Sequence, residues 1–224
     1  MNEHRSLDDL RFTLLQARNP ADPARGDEWR SFSARLGVRP QQIRQVDVLT
    51  QELDLGLLDH TDALLVGGAG EYSLVHPTPE VEDLATFLTR AVSGPVPIFA
   101  SCFGYHALAV GLGGQVIADE DHAEVGSYDL TLTAEGEADE LFGGVPVEFV
   151  AQLGHKDRVA RLPDGVVPLA SSARCPFQAF RLPGRPVYAT QFHPELDWRD
   201  NMLRFKGYMD TYGKLFGRED ALRK

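Results

Sequence analysis

Two cysteines in 224 residues are too few for a disulfide framework or a four-cysteine metal site. They read as free thiols of a reducing, cytoplasmic compartment. No apolar run approaches the ~18 residues that a spanning helix needs. The first nine residues, Met1 to Asp9, are polar and lack the apolar stretch of a secretory signal. Basic residues are in short supply, 22 against 33 acidic ones, for a net charge of -11. Such a surface repels phosphate backbones and anionic membranes, so neither nucleic acid nor membrane is an expected partner. Internal repeats, low-complexity tracts and long linkers are also missing. What remains is an enzyme or interaction domain, long enough for a substantial core.

The apolar pattern alternates between two periods. Residues 11–16, 43–49, 62–66 and 96–100 are short apolar runs of strand length. Between them, Trp29, Phe32 and Leu36 recur at helical spacing before Gly37, and Val81, Leu84, Leu88 and Ala91 form one stripe behind Thr78-Pro79. Apolar strands alternating with helices predict a parallel sheet covered on both faces. Residues 128–133 and 147–153 instead alternate strictly, as half-exposed antiparallel strands do. Trp198, Met202, Phe205, Met209, Tyr212 and Phe216 predict a long amphipathic helix packed on the sheet. No composition shift marks a boundary. The expectation is one α/β domain over 1–224 with a mixed, mostly parallel central sheet flanked by helices, residues 1–9 forming a flexible tail.

Three places could carry chemistry. Cys102 lies between the apolar run 96–100 and a helical stretch over 105–112, with Ala100 and Gly104 two residues to either side. A nucleophile on a sharp strand-to-helix turn needs small neighbours there. The helix N-terminus would favour a thiolate, and the Phe103 amide could donate to an oxyanion. A buried structural cysteine or a redox-sensing thiol fits the same local sequence. Of seven histidines, His193 ends an extended run and has Glu195 two residues on, on the same side of an extended chain. A carboxylate there can hold the imidazole tautomer, although His-Pro-Glu can equally cap a helix. The turn Gly67-Gly68-Ala69-Gly70 permits close backbone approach and could supply a second oxyanion donor, or it is an ordinary turn. A dinucleotide loop fits poorly, because the Gly-x-Gly-x-x-Gly spacing is absent. Cys175, in an apolar stretch, reads as structural.

Taken together, Gly67-Gly68-Ala69-Gly70, Ala100-Ser101-Cys102-Phe103-Gly104 and Gln191-Phe192-His193-Pro194-Glu195 resemble the class I, triad-type glutamine amidotransferases. Weaker agreement comes from Gly154-His155-Lys156-Asp157-Arg158-Val159 and from residues 175–180. The likeness is to free-standing members related to the amidotransferase part of GMP synthase, and it covers nearly the whole chain. It implies a flavodoxin-like core and a Cys-His-Glu triad of Cys102, His193 and Glu195. It also implies an oxyanion hole from the amides of Gly68 and Phe103, and substrate contacts from Gly70, Lys156 and Asp157. Neither metal nor organic cofactor is implied. The expected reaction is hydrolysis of the glutamine side-chain amide through a thioester on Cys102. Ammonia would go to a separate synthase polypeptide, since no residues remain for one here.

The sequence departs from the family pattern at Ala100, Ala69, Lys156 and His106. His106 stands where the family has a glutamine that helps bind substrate, so it is the candidate for altered substrate contact. With Lys156 it favours a second reading, hydrolysis of γ-glutamyl amides or peptides by the same triad. A third reading is a non-catalytic binding or regulatory homologue.

Overall fold

The computed structural model describes residues 5–208. One nine-stranded sheet organises them. Its parallel half is β1 (Phe12–Ala17), β2 (Ile43–Asp47), β3 (Ala63–Ala69), β4 (Ile98–Ser101) and β11 (Val187–Thr190). Its antiparallel half is β6 (Glu124–Leu132), β7 (Glu148–His155), β9 (Val167–Ser172) and β10 (Ala179–Leu182). The strands lie in the order β2-β1-β3-β4-β11-β10-β9-β6-β7. A separate two-stranded ribbon pairs β5 (Gln115–Ala118) with β8 (Asp157–Arg161). The expected fold class is therefore present: a mixed central sheet, parallel where the site lies, flanked by helices.

The apolar runs are explained by burial on both faces. Along β1, Leu15 and Ala17 face one core while Phe12 and Leu14 face another; along β3, Leu64 and Val66 alternate with Leu65 in the same way. One face is covered by α2 (Pro79–Ala91) and α3 (Phe103–Gly111), the other by α1 (Ala24–Leu36). A single turn of helix, α4 (Ala134–Glu137), packs against β9. The predicted stripe Val81, Leu84, Leu88 and Ala91 is buried, and Gly37 closes α1 at φ 66°, where only glycine is unstrained.

Two expectations need correction. Residues 5–9 are tied down rather than loose: Arg5 pairs with Asp62, residues Leu7–Asp9 form a short 3₁₀ turn, and the Gln42 amide donates to the carbonyls of Leu7 (2.9 Å) and Leu10 (2.8 Å). The last described helix, α5 (Trp198–Gly207), has the predicted period but does not bury its predicted stripe. Trp198 is 60% and Met202 43% exposed, and the buried residue of the helix is Asn201, which donates to Gln152 and Leu153 of β7. Met209, Tyr212 and Phe216 lie outside the described residues. No described helix is long and apolar enough to cross a membrane.

Candidate active site

β4 is flanked by β3 and β11, and the chain leaves its carboxyl end through Cys102. The Cys102 amide extends the ladder by donating to Thr190 O at 2.8 Å. Its backbone then turns through φ 52°, ψ -104° into α3, a conformation that costs a non-glycine residue about 1–3 kcal/mol. Gly104 shows why the neighbours are small, since a Cβ there would lie 2.6 Å from Val66 O and 2.8 Å from Val66 Cβ. Because that obstacle is backbone, Gly104→Ala is expected to destabilise by about 1–3 kcal/mol. Thermal melting should show a midpoint several degrees lower, with Cys102 displaced and its reactivity reduced.

His193 arrives from the far end of β11. Its Nδ1 is 2.6 Å from Glu195 Oε1, so Nε2 is left for Cys102, with which it hydrogen-bonds. Both His193 and Glu195 are buried. Burial alone would lower the His193 pKa, but the Glu195 carboxylate and the Cys102 sulfur outweigh it and push the value up to about 9. Arg204 of α5 reaches the same group, with Nη1 3.5 Å from His193 Nδ1 and 3.9 Å from Glu195 Oε1.

Sequence reasoning missed Gln191. Its amide nitrogen lies 3.9 Å from Cys102 Sγ, and its Oε1 is 2.7 Å from His106 Nε2. His106 therefore does not face substrate. It is buried within α3, its pKa is depressed by that burial, and its ring braces a carboxamide that touches the nucleophile. The expectation of direct substrate contact for His106 is corrected accordingly. It assumed that position 106 shares a helix face with 102, but the positive φ of Cys102 breaks the helix before that spacing applies.

The glycine turn also differs from expectation. The Gly68 amide donates to Glu28 Oε1 at 2.8 Å, so in this state it is not aimed at an oxyanion. A Cβ at Gly67 would lie 2.6 Å from the Glu28 carboxylate, so this glycine serves the close approach of that side chain. Glu28 in turn binds Arg18 Nη2 at 2.9 Å and Gln16 Nε2 at 2.9 Å, with Arg18 and Glu28 both fully buried. Burial would raise the Glu28 pKa, yet Arg18 outweighs it and holds the carboxyl down at about 2. Phe103 opens α3, where a first-turn amide has no partner within the helix. Gly70 lines the space at Cys102, whereas Lys156 is exposed and Asp157 accepts from Ser73 Oγ at 2.5 Å. Neither Lys156 nor Asp157 lines that space.

A second buried polar group sits apart. Glu124, His155 and Cys175 bring possible metal-ligand atoms within 4.8 Å of one another. Their atoms are already engaged. Glu124 is bound by His155 Nε2 (3.0 Å), Gln178 Nε2 (2.5 Å) and Ser172 Oγ (2.8 Å), and His155 Nδ1 meets Asp157 O at 3.0 Å. Burial and the Glu124 charge push the Cys175 thiol up to about 12, which keeps it protonated and structural.

The class I glutamine amidotransferase family model matches residues 31–205. The amidotransferase component of glutamine-hydrolyzing GMP synthase from Thermoplasma acidophilum is 29% identical over 192 residues, 84% of this chain and 88% of that protein. Its counterpart of the same name from Methanocaldococcus jannaschii is 35% identical over 118 residues, 53% of this chain and 61% of that protein, so the match spans less than two thirds of that relative. Among solved structures, a GMP synthase component from T. acidophilum superposes with a TM-score of 0.65 at 28% identity, covering 92% of this chain and 96% of its own. With a matching model over most of its length, and with the elbow cysteine and the histidine assembled at the end of one parallel strand pair, the chain belongs to the class I glutamine amidotransferases.

Proposed function

We propose that the protein is a glutaminase with a Cys102-His193-Glu195 triad. The observation that carries this reading is Cys102 held at positive φ on the first turn of α3, hydrogen-bonded to a histidine whose other nitrogen is fixed 2.6 Å from a buried carboxylate. In the resting pair the proton sits on His193 and the sulfur is a thiolate. The sulfur attacks the carboxamide carbon, and the negative charge moves to the amide oxygen beside the Phe103 N–H. His193 Nε2 gives its proton to the leaving nitrogen, ammonia departs, and a glutamyl thioester remains. Water then attacks with His193 as base, the C–S bond breaks, and glutamate and the thiolate are released. Gln191 donates toward the sulfur throughout. Gly68 joins as second oxyanion donor only if Glu28 gives up its amide. In a cytoplasmic setting, the ammonia would feed a separate synthase, as the names of the relatives suggest.

Hydrolysis of other γ-glutamyl amides is the reading that His106 and Lys156 favour in the sequence. With His106 turned to Gln191 and Lys156 away from the cysteine, that reading loses its support.

The test is release of glutamate and ammonia from glutamine, read across neutral to alkaline pH. The sign follows from His193. Its raised pKa keeps the imidazolium, and hence the ion pair, below about 9. We expect kcat/KM to fall as pH rises through that value. Glu195→Gln removes the largest influence raising the pKa, so the alkaline limb should move to lower pH. A limb that stays put in Glu195→Gln would remove Glu195 from the triad.

A further inference from the structure

The space at Cys102 is too small for any substrate. It measures about 20 Å³, room for roughly one water. Immediately outside it lies a cavity of about 390 Å³, and Arg18, Gly70, Arg204 and Tyr208 form walls of both. Tyr208, just past α5, stands between the two. Its ring is so close to Gly70 that a Cβ on that glycine would lie 2.5 Å from the phenol oxygen.

The hydroxyl of Tyr208 has an unusual pair of partners. It accepts from Arg18 Nη1 at 3.0 Å and donates to Asp22 Oδ2 at 2.5 Å. One atom thus satisfies a guanidinium and a carboxylate that lie side by side. A zwitterionic amino-acid head group has the matching complement, its carboxylate for Arg18 and its ammonium for Asp22. Distance agrees as well. A Cβ placed on Gly68 would be 3.2 Å from Arg18 Nη2 and 3.2 Å from His193 Cε1, so Arg18 stands across a single glycine from the triad histidine. That is the reach between the head group of a γ-glutamyl compound and its reacting amide.

We propose that Arg18 and Asp22 clamp the α-carboxylate and α-amino groups of the substrate, and that Tyr208 holds their place in a closed state and must swing away for substrate to reach Cys102. This inference rests on the glutaminase reading and assigns its specificity to an amide γ-linked to a free amino-acid head. Arg18 acts on substrate alone; its Glu28 pair keeps it in position.

The test uses two thiol probes followed by mass mapping of Cys102. The diazo-ketone analogue of glutamine carries the head group, and iodoacetamide does not. Tyr208→Ala is expected to raise the labelling rate at Cys102 at least about tenfold for both probes, since it opens the way to the sulfur. Gly70→Ala, whose new methyl displaces the phenol, should do the same and covers the case in which Tyr208→Ala fails to fold. In the opened background, Asp22→Asn should slow the diazo-ketone about tenfold and leave iodoacetamide within about twofold, the loss expected for one charge-assisted contact. Unchanged rates for both probes in the two folded opening variants would overturn the closed state. An equal effect of Asp22→Asn on both probes, or none on either, would overturn the clamp. If Cys102 never reacts faster than a free thiol with either probe in any variant, the nucleophile itself is refuted, a result separate from either of these.

Discussion

Cys102→Ala is expected to abolish glutamine hydrolysis, by at least about a thousandfold in kcat, because no other group can form the thioester. Cys175 cannot substitute, with a thiol held at about 12 and a position in the Glu124 cluster. The fold should survive, since alanine keeps the Cβ and the ladder bond to Thr190 uses only the main chain. Cys102→Gly adds a sharper expectation. Glycine removes the steric cost of φ 52°, so the inactive protein should melt at a higher temperature than the parent. Strain kept only for chemistry predicts loss of activity together with a gain in stability. Residual hydrolysis in Cys102→Ala near the parental rate would end the triad reading.

Glu28→Ala should produce the largest loss of stability. Glu28 and the guanidinium of Arg18 are both fully buried, and Glu28 holds Arg18 Nε and Nη2 and the Gly68 amide. Removing it leaves a cation inside the protein with Asp22 and Tyr208 to hold it, a change that costs about 3–5 kcal/mol. For a chain of this size that is a fall of about 6–20 °C in the melting midpoint. Replacing both Arg18 and Glu28 by leucine should recover much of the loss, because no unpaired charge remains. The pH dependence has a definite sign. The Glu28 carboxyl is held at about 2 against an ordinary 4.5, so its contribution is complete above the ordinary value and is lost as pH falls toward 2. Acid denaturation of Glu28→Gln should lack that portion of the slope.

The parts of the fold that are readable from sequence are those with a local cause. Strands buried on both faces appear as unbroken apolar runs, and the elbow appears because small residues must flank Cys102. The antiparallel half is legible only in part. β9 and β10 are short and interrupted by Pro168 and Cys175-Pro176, so neither period stands out. The helix over 198–207 is recognisable by its spacing, yet its orientation depends on the Asn201 contacts to β7, which no periodicity encodes. Arg18, Asp22 and Glu28 read as surface charges, as most such residues are. Only the approach of α1 to the ends of β1 and β3 buries them, and Gly67 is the local sign that something close must pass. Gln191 lies in the recognised motif, but its role needs the position of His106.

The bond from the Cys102 amide to Thr190, and the insertion of β11 between β4 and β10, carry a kinetic consequence. Pairing strands so distant along the chain is a slow, late step. A nascent polypeptide can complete its first four strands and still expose an ordinary, unactivated thiol. Heightened electrophile reactivity at residue 102 would then arise only when that last parallel strand docks, which makes the thiol a built-in clock for refolding experiments.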